Sequence, residues 1–238
     1  MRLDKFLKEV GLGTRSEVKK LIKDKRISIN DAIITKEGTI LNEEKDIVKL
    51  DGVATLHYQK YYYFLLNKPK GYLSATEDSS QPTILDFFKD DYSHVDLFPV
   101  GRLDKDTTGV ILITNDGELA HRLISPKYHV DKIYIATLDK EVDMKIQKEF
   151  EEGIILDHEL TLPSKLEKLD SNICKVTLHQ GKYHQVKRMF EYFGLKVVEL
   201  HRENFGGITL GNLEEGSFRE LTKNEVESLK KLTNLNDE

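Results

Sequence analysis

Gly101-Arg102-Leu103-Asp104-Lys105-Asp106-Thr107-Thr108-Gly109 runs directly into the apolar stretch Val110-Ile111-Leu112-Ile113-Thr114. The first nine residues are charged, Thr-containing and bounded by glycines, which reads as a loop. The next five carry no charge and are mostly branched aliphatics, which reads as a strand buried on both faces. Asn115-Asp116-Gly117 closes that strand with a turn, and a helix through Leu119 and Leu123 follows. Upstream, Leu97-Phe98-Pro99-Val100 is a brief extended segment, polar Ser74 to Pro82 reads as an exposed loop, and Tyr61-Tyr62-Tyr63-Phe64-Leu65-Leu66 as another strand. Downstream, strands are expected at Lys132 to Leu138, Ile173 to Leu178 and Lys196 to Leu200. Helices are expected at Val142 to Glu151 and at His184 to Phe193, the second ended by Gly194 in a left-handed cap. These elements lack regular βαβ alternation, so the expected fold class is α+β with a mixed, largely antiparallel sheet.

The N-terminal end has a different character. Leu3, Phe6, Leu7 and Val10 recur at helical spacing and stop at Gly11, while Thr14 and Glu17 form a capping box before Val18, Leu21 and Ile22. Arg26-Ile27-Ser28-Ile29-Asn30-Asp31 then reads as a strand running into a turn, giving the order helix, helix, hairpin. Residues 1–36 hold ten Lys/Arg against five Asp/Glu, which leaves −10 on the remaining 202 residues of a chain with net charge −5. Local patches rather than totals set phosphate affinity, so the negative total does not exclude a nucleic-acid partner. This arrangement resembles a small α/β S4 RNA-binding domain, through Arg2-Leu3-Asp4, the Thr14-Arg15-Ser16 helix start and the basic second helix. The resemblance implies that Arg15, Lys19, Lys20 and Lys23 position structured RNA. A composition change between Asp51-Gly52 and Tyr61 places the expected division between an S4-like domain, 1–57, and a larger domain, 58–238.

With 39% hydrophobic and 32% charged residues, 238 residues describe a globular chain long enough for a sizeable core. No window reaches the roughly 18–20 apolar residues of a membrane span, and Met1-Arg2-Leu3-Asp4 does not open a signal peptide. A cytoplasmic location with no membrane partner is expected. A single cysteine, Cys174, cannot form an intrachain disulfide or a cysteine metal cluster and reads as a packed strand residue. His179 and His184 are five apart, missing the i, i+4 spacing that sets two zinc ligands on one helix face, so no metal site is expected. Gly11-Leu12-Gly13 lacks the third glycine and the preceding strand of a dinucleotide fingerprint. Thr222 and Glu225 form another capping box, predicting a packed C-terminal helix through Val226 and Leu229.

Within the opening loop, spacing alone favours a turn in which Asp104 or Asp106 caps backbone N–H groups. A chemical reading competes, because loops between rigid strands are where reactive groups concentrate, and Arg102 and Lys105 flank the aspartates. Spacing leaves the two aspartates tied.

Gly-Arg-Leu-Asp followed by Thr-x-Gly, an apolar strand and Thr114-Asn115-Asp116-Gly117 resembles the central motif of the RsuA-type pseudouridine synthases. Three further blocks stand in that family's order: Asn67-Lys68-Pro69-Lys70-Gly71, Lys132-Ile133-Tyr134, and Gly181-Lys182-Tyr183-His184-Gln185-Val186-Lys187-Arg188-Met189. A fifth, Val198-Glu199-Leu200-His201-Arg202 leading to Phe205-Gly206-Gly207 and later Gly216 to Leu221, extends the match nearly to the C-terminus.

The resemblance implies a reaction that detaches uracil from ribose, turns it and rejoins it through carbon, with no cofactor. It selects Asp104 as the catalytic carboxylate, Lys187 as its basic partner, and Tyr134 to stack on the base or handle its proton. Lys stands at 187 where related synthases often have Arg, giving a point charge without the bidentate fork. By the same resemblance Arg102 contacts the flipped nucleotide or a phosphate; Lys105 flanks the site as an RNA-binding residue, and Lys182 and Arg188 are expected phosphate contacts. The implied partner is rRNA, specifically 16S rRNA or a small-subunit assembly intermediate, bound by a monomer. Alternatives are a 23S rRNA synthase, a non-catalytic RNA-binding assembly factor, and a carboxylate glycosidase using Asp104 with Asp106.

Overall fold

The computed structural model describes residues 1–43, 45–54 and 59–235, and the division expected at 57/58 lies outside them. The chain forms two compact units: Met1–Tyr61 with Asp90–Asp96, and Tyr62–Lys89 with Leu97–Glu238.

In the first unit, α1 (Leu3–Glu9) and α2 (Arg15–Lys23) precede β1 (Ile27–Ile29) and β2 (Ala32–Ile33). With β3 (Val48–Leu50) and β4 (Val53–Ala54) these strands form an antiparallel sheet of order β2-β1-β3-β4. Helical spacing turns Leu3, Phe6 and Leu7 of α1 and Val18 and Ile22 of α2 inward, where they meet Ile27, Ile29, Leu41 and Val48. The box at the start of α2 is formed: Thr14 N donates to the Glu17 carboxylate at 2.7 Å and Glu17 N donates to Thr14 Oγ1, a cap that contributes about 1 kcal/mol. Asn30 and Asp31 both adopt positive φ, 48° and 69°, the mirror-image turn whose twist suits a two-residue hairpin. Arg15, Lys20 and Lys23 are exposed, and Lys19 Nζ pairs with Glu37 at 3.1 Å.

The rest of the chain runs β5 (Tyr63–Lys68), α3 (Lys89–Tyr92), β6 (Phe98–Pro99), β7 (Thr108–Thr114), α4 (Gly117–Ile124), β8 (Lys132–Leu138) and α5 (Gln147–Glu152). It continues through β9 (Ile155–Leu156), β10 (Glu159–Leu160), β11 (Lys165–Asp170), β12 (Ile173–Leu178), α6 (Gln185–Glu191), β13 (Val197–Phe205), β14 (Ile208–Thr209), β15 (Phe218–Glu220) and α7 (Lys223–Leu232). The main sheet has the order β11-β12-β8-β13-β7-β5-β15, with β14 beside β13 and β6 beside β7. Among the described residues, β13 with β7 is its one parallel pair, so the sheet is mixed and largely antiparallel.

Strand β7 is central, and Gly109 to Thr114 are all buried. Val110 and Leu112 face a core with Leu65, Leu119, Leu123, Phe205 and Leu229. Ile111 and Ile113 alternate to the other face, opposite Leu66 and Phe64, and Phe64 joins an aromatic cluster with Phe88 and Phe218. Each such aliphatic side chain contributes roughly 1.5–3 kcal/mol when fully buried. Cys174 is free and buried in β12. Among the described residues no helix is long and apolar enough to cross a membrane.

Three local expectations need correction. Strand β13 does not stop at Leu200 but runs to Phe205, because the polar run His201-Arg202-Glu203-Asn204 keeps pairing with β8 while Arg202 is buried. The helix expected from Val142 begins later: Val142 is buried, Asp143 caps a single 3₁₀ turn at Met144–Ile146, and α5 starts at Gln147. Ser74, expected in an exposed loop, is 9% exposed, because it bonds to the loop that carries Asp104.

Candidate active site

Residues 100–107 link β6 to β7, and other segments hold almost every turn of this loop. Ser74 Oγ donates to Leu103 O at 2.8 Å and accepts from Leu103 N at 3.0 Å. Lys68, fully buried at the end of β5, donates from Nζ to Pro69 O, Lys105 O and Thr107 O at 3.0, 3.2 and 2.9 Å. Those are the three bonds an ammonium can donate. Burial pushes the Lys68 pKa down to about 8, against the pull of Asp106, Asp104 and Glu215. Thr107 N donates to Asp104 O at 3.1 Å, and Thr108 Oγ1 lies 2.9 Å from His201 Nδ1. At Gly109 the loop meets β13 so closely that a Cβ would stand 2.2 Å from Arg202 O, and φ is +104°. Glycine is required there for both reasons.

Asp104 and Lys187 meet. Helix α6 carries Lys187 to 2.9 Å from Asp104 Oδ2 and 2.6 Å from Asp106 Oδ1. His184, which caps α6 in a left-handed conformation, places Nε2 3.4 Å from Asp104 Oδ1. Burial opposes the Lys187 charge, but hydrogen bonds and attraction from Asp106 and Asp104 outweigh it and raise the Lys187 pKa. At Asp106 desolvation is likewise outweighed by Lys187, and the carboxyl is held below its ordinary range. The arrangement is a half-buried carboxylate on a fixed loop, with a cation and an imidazole on its two oxygens. It can attack an electrophilic carbon or accept a proton.

Tyr134 makes no hydrogen bond to Asp104 or Lys187. It lies in β8, opposite Arg202 of β13, and is 8% exposed. Arg202 joins it to β7, which follows the loop: Nη1 donates to the Tyr134 hydroxyl at 3.4 Å, and Nε donates to Val110 O at 2.7 Å. The guanidinium also lies over the rings of Phe205 and Tyr134, at 4.9 and 6.0 Å from their centroids. Lys132, two residues before Tyr134 on the same strand face, is buried with its pKa lowered to about 8 by burial and by Arg202.

The other cations expected at the site divide. Arg102 is exposed without an ion pair to another described residue, and Lys105 reaches Gln81 at 2.7 Å. Lys182 and Arg188 are engaged by the β9–β10 hairpin. Lys182 pairs with Glu159, and Arg188 donates to both oxygens of Asp157, at 2.8 and 2.6 Å. His179 and His184 serve different carboxylates, Asp131 at 2.8 Å and Asp104.

The family described as RNA pseudouridylate synthase matches residues 62–192. The chain belongs to the RNA pseudouridylate synthase family. Its loop, Asp104 and Lys187 all lie within the matched stretch, and the S4 domain matches residues 1–48 of this synthase. Among curated relatives, "Ribosomal small subunit pseudouridine synthase A" of Haemophilus influenzae is 43% identical, with 97% of this chain and 100% of that protein covered. The Escherichia coli protein of the same name is 40% identical over 96% of this chain and 100% of its own. A solved structure described as "Crystal structure of pseudouridylate synthase" is 40% identical with a TM-score of 0.67, covering 96% of this chain and 99% of that one.

Several contributors stand outside the set that the synthase's sequence suggested. Lys68 and Arg202 lie inside motif blocks without an evident task, and a cation following a buried strand is the one signal either offers. Ser74 has no signal, since a serine in a polar stretch looks like any other. Asp157 and Glu159 matter only through a hairpin whose turn residues, Asp157 and His158, adopt positive φ.

Proposed function

We propose that this synthase converts a specific uridine of 16S rRNA to pseudouridine, as a monomer acting on naked RNA or a small-subunit assembly intermediate, with Asp104 as the reacting carboxylate. The observation that carries the reading is Lys187 at 2.9 Å from Asp104 on a loop fixed from several sides. The curated relatives, matched over nearly their whole length under a small-subunit name, support 16S over 23S rRNA.

In the isomerisation the bond from C1′ to N1 breaks, the base turns, and a bond from C1′ to C5 forms. C5 loses a proton and N1 gains one, so the RNA keeps its mass. Asp104 attacks an electrophilic carbon or accepts a proton, with the Lys187 ammonium beside it. Tyr134 offers a ring to the base and a hydroxyl aligned by Arg202. Extruding the uridine costs a few kcal/mol, and stacking of roughly 1–3 kcal/mol per base offsets it. Arg102 and Lys105 take the flipped nucleotide or its phosphates, while Arg15, Lys19, Lys20 and Lys23 dock structured RNA.

The test is tritium release from C5-labelled uridine in 16S and 23S transcripts and in assembly particles, with Asp104→Asn as control. Release from 16S substrates alone is expected. Release only from 23S RNA would overturn the subunit assignment, an inactive wild type on every substrate would favour a binding protein, and free uracil would indicate a glycosidase.

A further inference from the structure

Tyr183 is 74% exposed, yet its ring is held: it stacks on His184 with centroids 3.9 Å apart and planes 17° apart. Consecutive side chains ordinarily point apart, by about 100° along a helix and to opposite faces of a strand. Here the left-handed backbone of His184, φ 47°, accompanies two parallel neighbouring rings. A non-glycine residue in that conformation is uncommon and, at a functional site, marks a constraint. Buried Gln185 locks the preceding turn, accepting from Lys182 N at 2.9 Å and donating its own N–H to Lys182 O at 3.2 Å. Arg188 Nη1 reaches Tyr183 O at 3.4 Å. The inner ring ends on the reacting carboxylate, with His184 Nε2 3.4 Å from Asp104 Oδ1.

We propose that the Tyr183–His184 pair is a stacking platform for the nucleobase next to the uridine that reacts. This rests on the synthase reading above. One face of Tyr183 is covered by His184, and the exposed remainder of the ring offers a rigid aromatic surface one ring away from the residue that contacts Asp104. Extruding a uridine strips its neighbour of a stacking partner, and an aromatic ring replaces that partner for any base, since every base has a π-face. Lys182 and Arg188, on either side in the sequence, suit the phosphates of the same nucleotide.

The experiment uses the full chain and an rRNA fragment in which the wild type forms pseudouridine, with 2-aminopurine replacing each nucleotide flanking the target in turn. Tyr183→Ala and Tyr183→Leu are expected to raise KM about tenfold, with kcat lowered less than threefold, and to abolish fluorescence quenching at one flanking position. Tyr183→Phe keeps both, and all three variants melt with the wild type because the side chain lies outside the core. Tyr183→Ala with wild-type KM and undiminished quenching, in a preparation that makes pseudouridine, overturns the platform and leaves the synthase reading intact. A wild type that makes no pseudouridine in any rRNA overturns both.

Discussion

Asp104 and Asp106 share one counter-ion, Lys187 Nζ, but differ in cover: the Asp104 side chain is 24% exposed and that of Asp106 is 71% exposed. Solvent screens the outer carboxylate, while the inner one is also touched by His184. Asp104→Asn is therefore expected to lower the rate of pseudouridine formation on the order of 10³-fold or more, and Asp106→Asn less than tenfold. Single-turnover tritium release measures both. Equal losses would refute the assignment of Asp104 as the reacting group.

Lys68 predicts an alkaline limb. Below about pH 8 its ammonium supplies donors to Pro69 O, Lys105 O and Thr107 O; above that pKa the amine has one fewer. The kcat profile should fall with a midpoint near pH 8, and Lys68→Met should be slower at neutral pH and lack that limb. Because the folded pKa lies below the ordinary 10.5, the unfolded chain holds more protons between those values, and the contribution of Lys68 to stability rises with pH there. A melting temperature that collapses alongside kcat near pH 8 would assign the limb to unfolding instead.

The acidic hairpin should compete with RNA. Asp157 and Glu159 are 73% and 75% exposed where they meet Arg188 and Lys182, and such surface pairs contribute about 0–1 kcal/mol each, which a phosphate can replace. Asp157→Asn with Glu159→Gln is expected to tighten RNA binding about fivefold and steepen its salt dependence. Unchanged affinity across a salt series would mean that Lys182 and Arg188 do not meet RNA.

For the N-terminal unit, replacing Arg15, Lys20 and Lys23 together by Ala should weaken RNA binding and reduce the slope of log K against log salt by about two. Lys19, already paired with Glu37, should add less. Filter binding at several salt concentrations reads both quantities, and an unaltered slope would remove the docking role.

What could be read from the sequence was local. The run from Val110 to Thr114 and the boxes at Thr14 and Thr222 depend on neighbours a few residues away, and each forms as its spacing requires, whereas the turn expected at Asn115-Asp116-Gly117 is a helix start, with Asp116 capping α4 and Gly117 its first residue. The tie between Asp104 and Asp106 could not be broken locally, because Lys187, which meets both, lies on a helix 81 residues beyond Asp106. The continuation of β13 was hidden for a similar reason: a buried arginine looks like a strand end until Val110 O, 92 residues earlier, is there to accept from it. Ser74 looks like a loop serine until Leu103 packs over it.

Thr108 and His201, 93 residues apart, meet beside Gly109 at the parallel junction of β7 with β13. A ribosome making this protein releases the Asp104 loop long before it releases the strand against which that loop closes. Contacts so distant along the chain form late in folding. A nascent chain ending before β13 carries Asp104, Tyr134 and Lys187 without the arginine that links Tyr134 to β7, so this arrangement of side chains is complete only when nearly the whole polypeptide has been made.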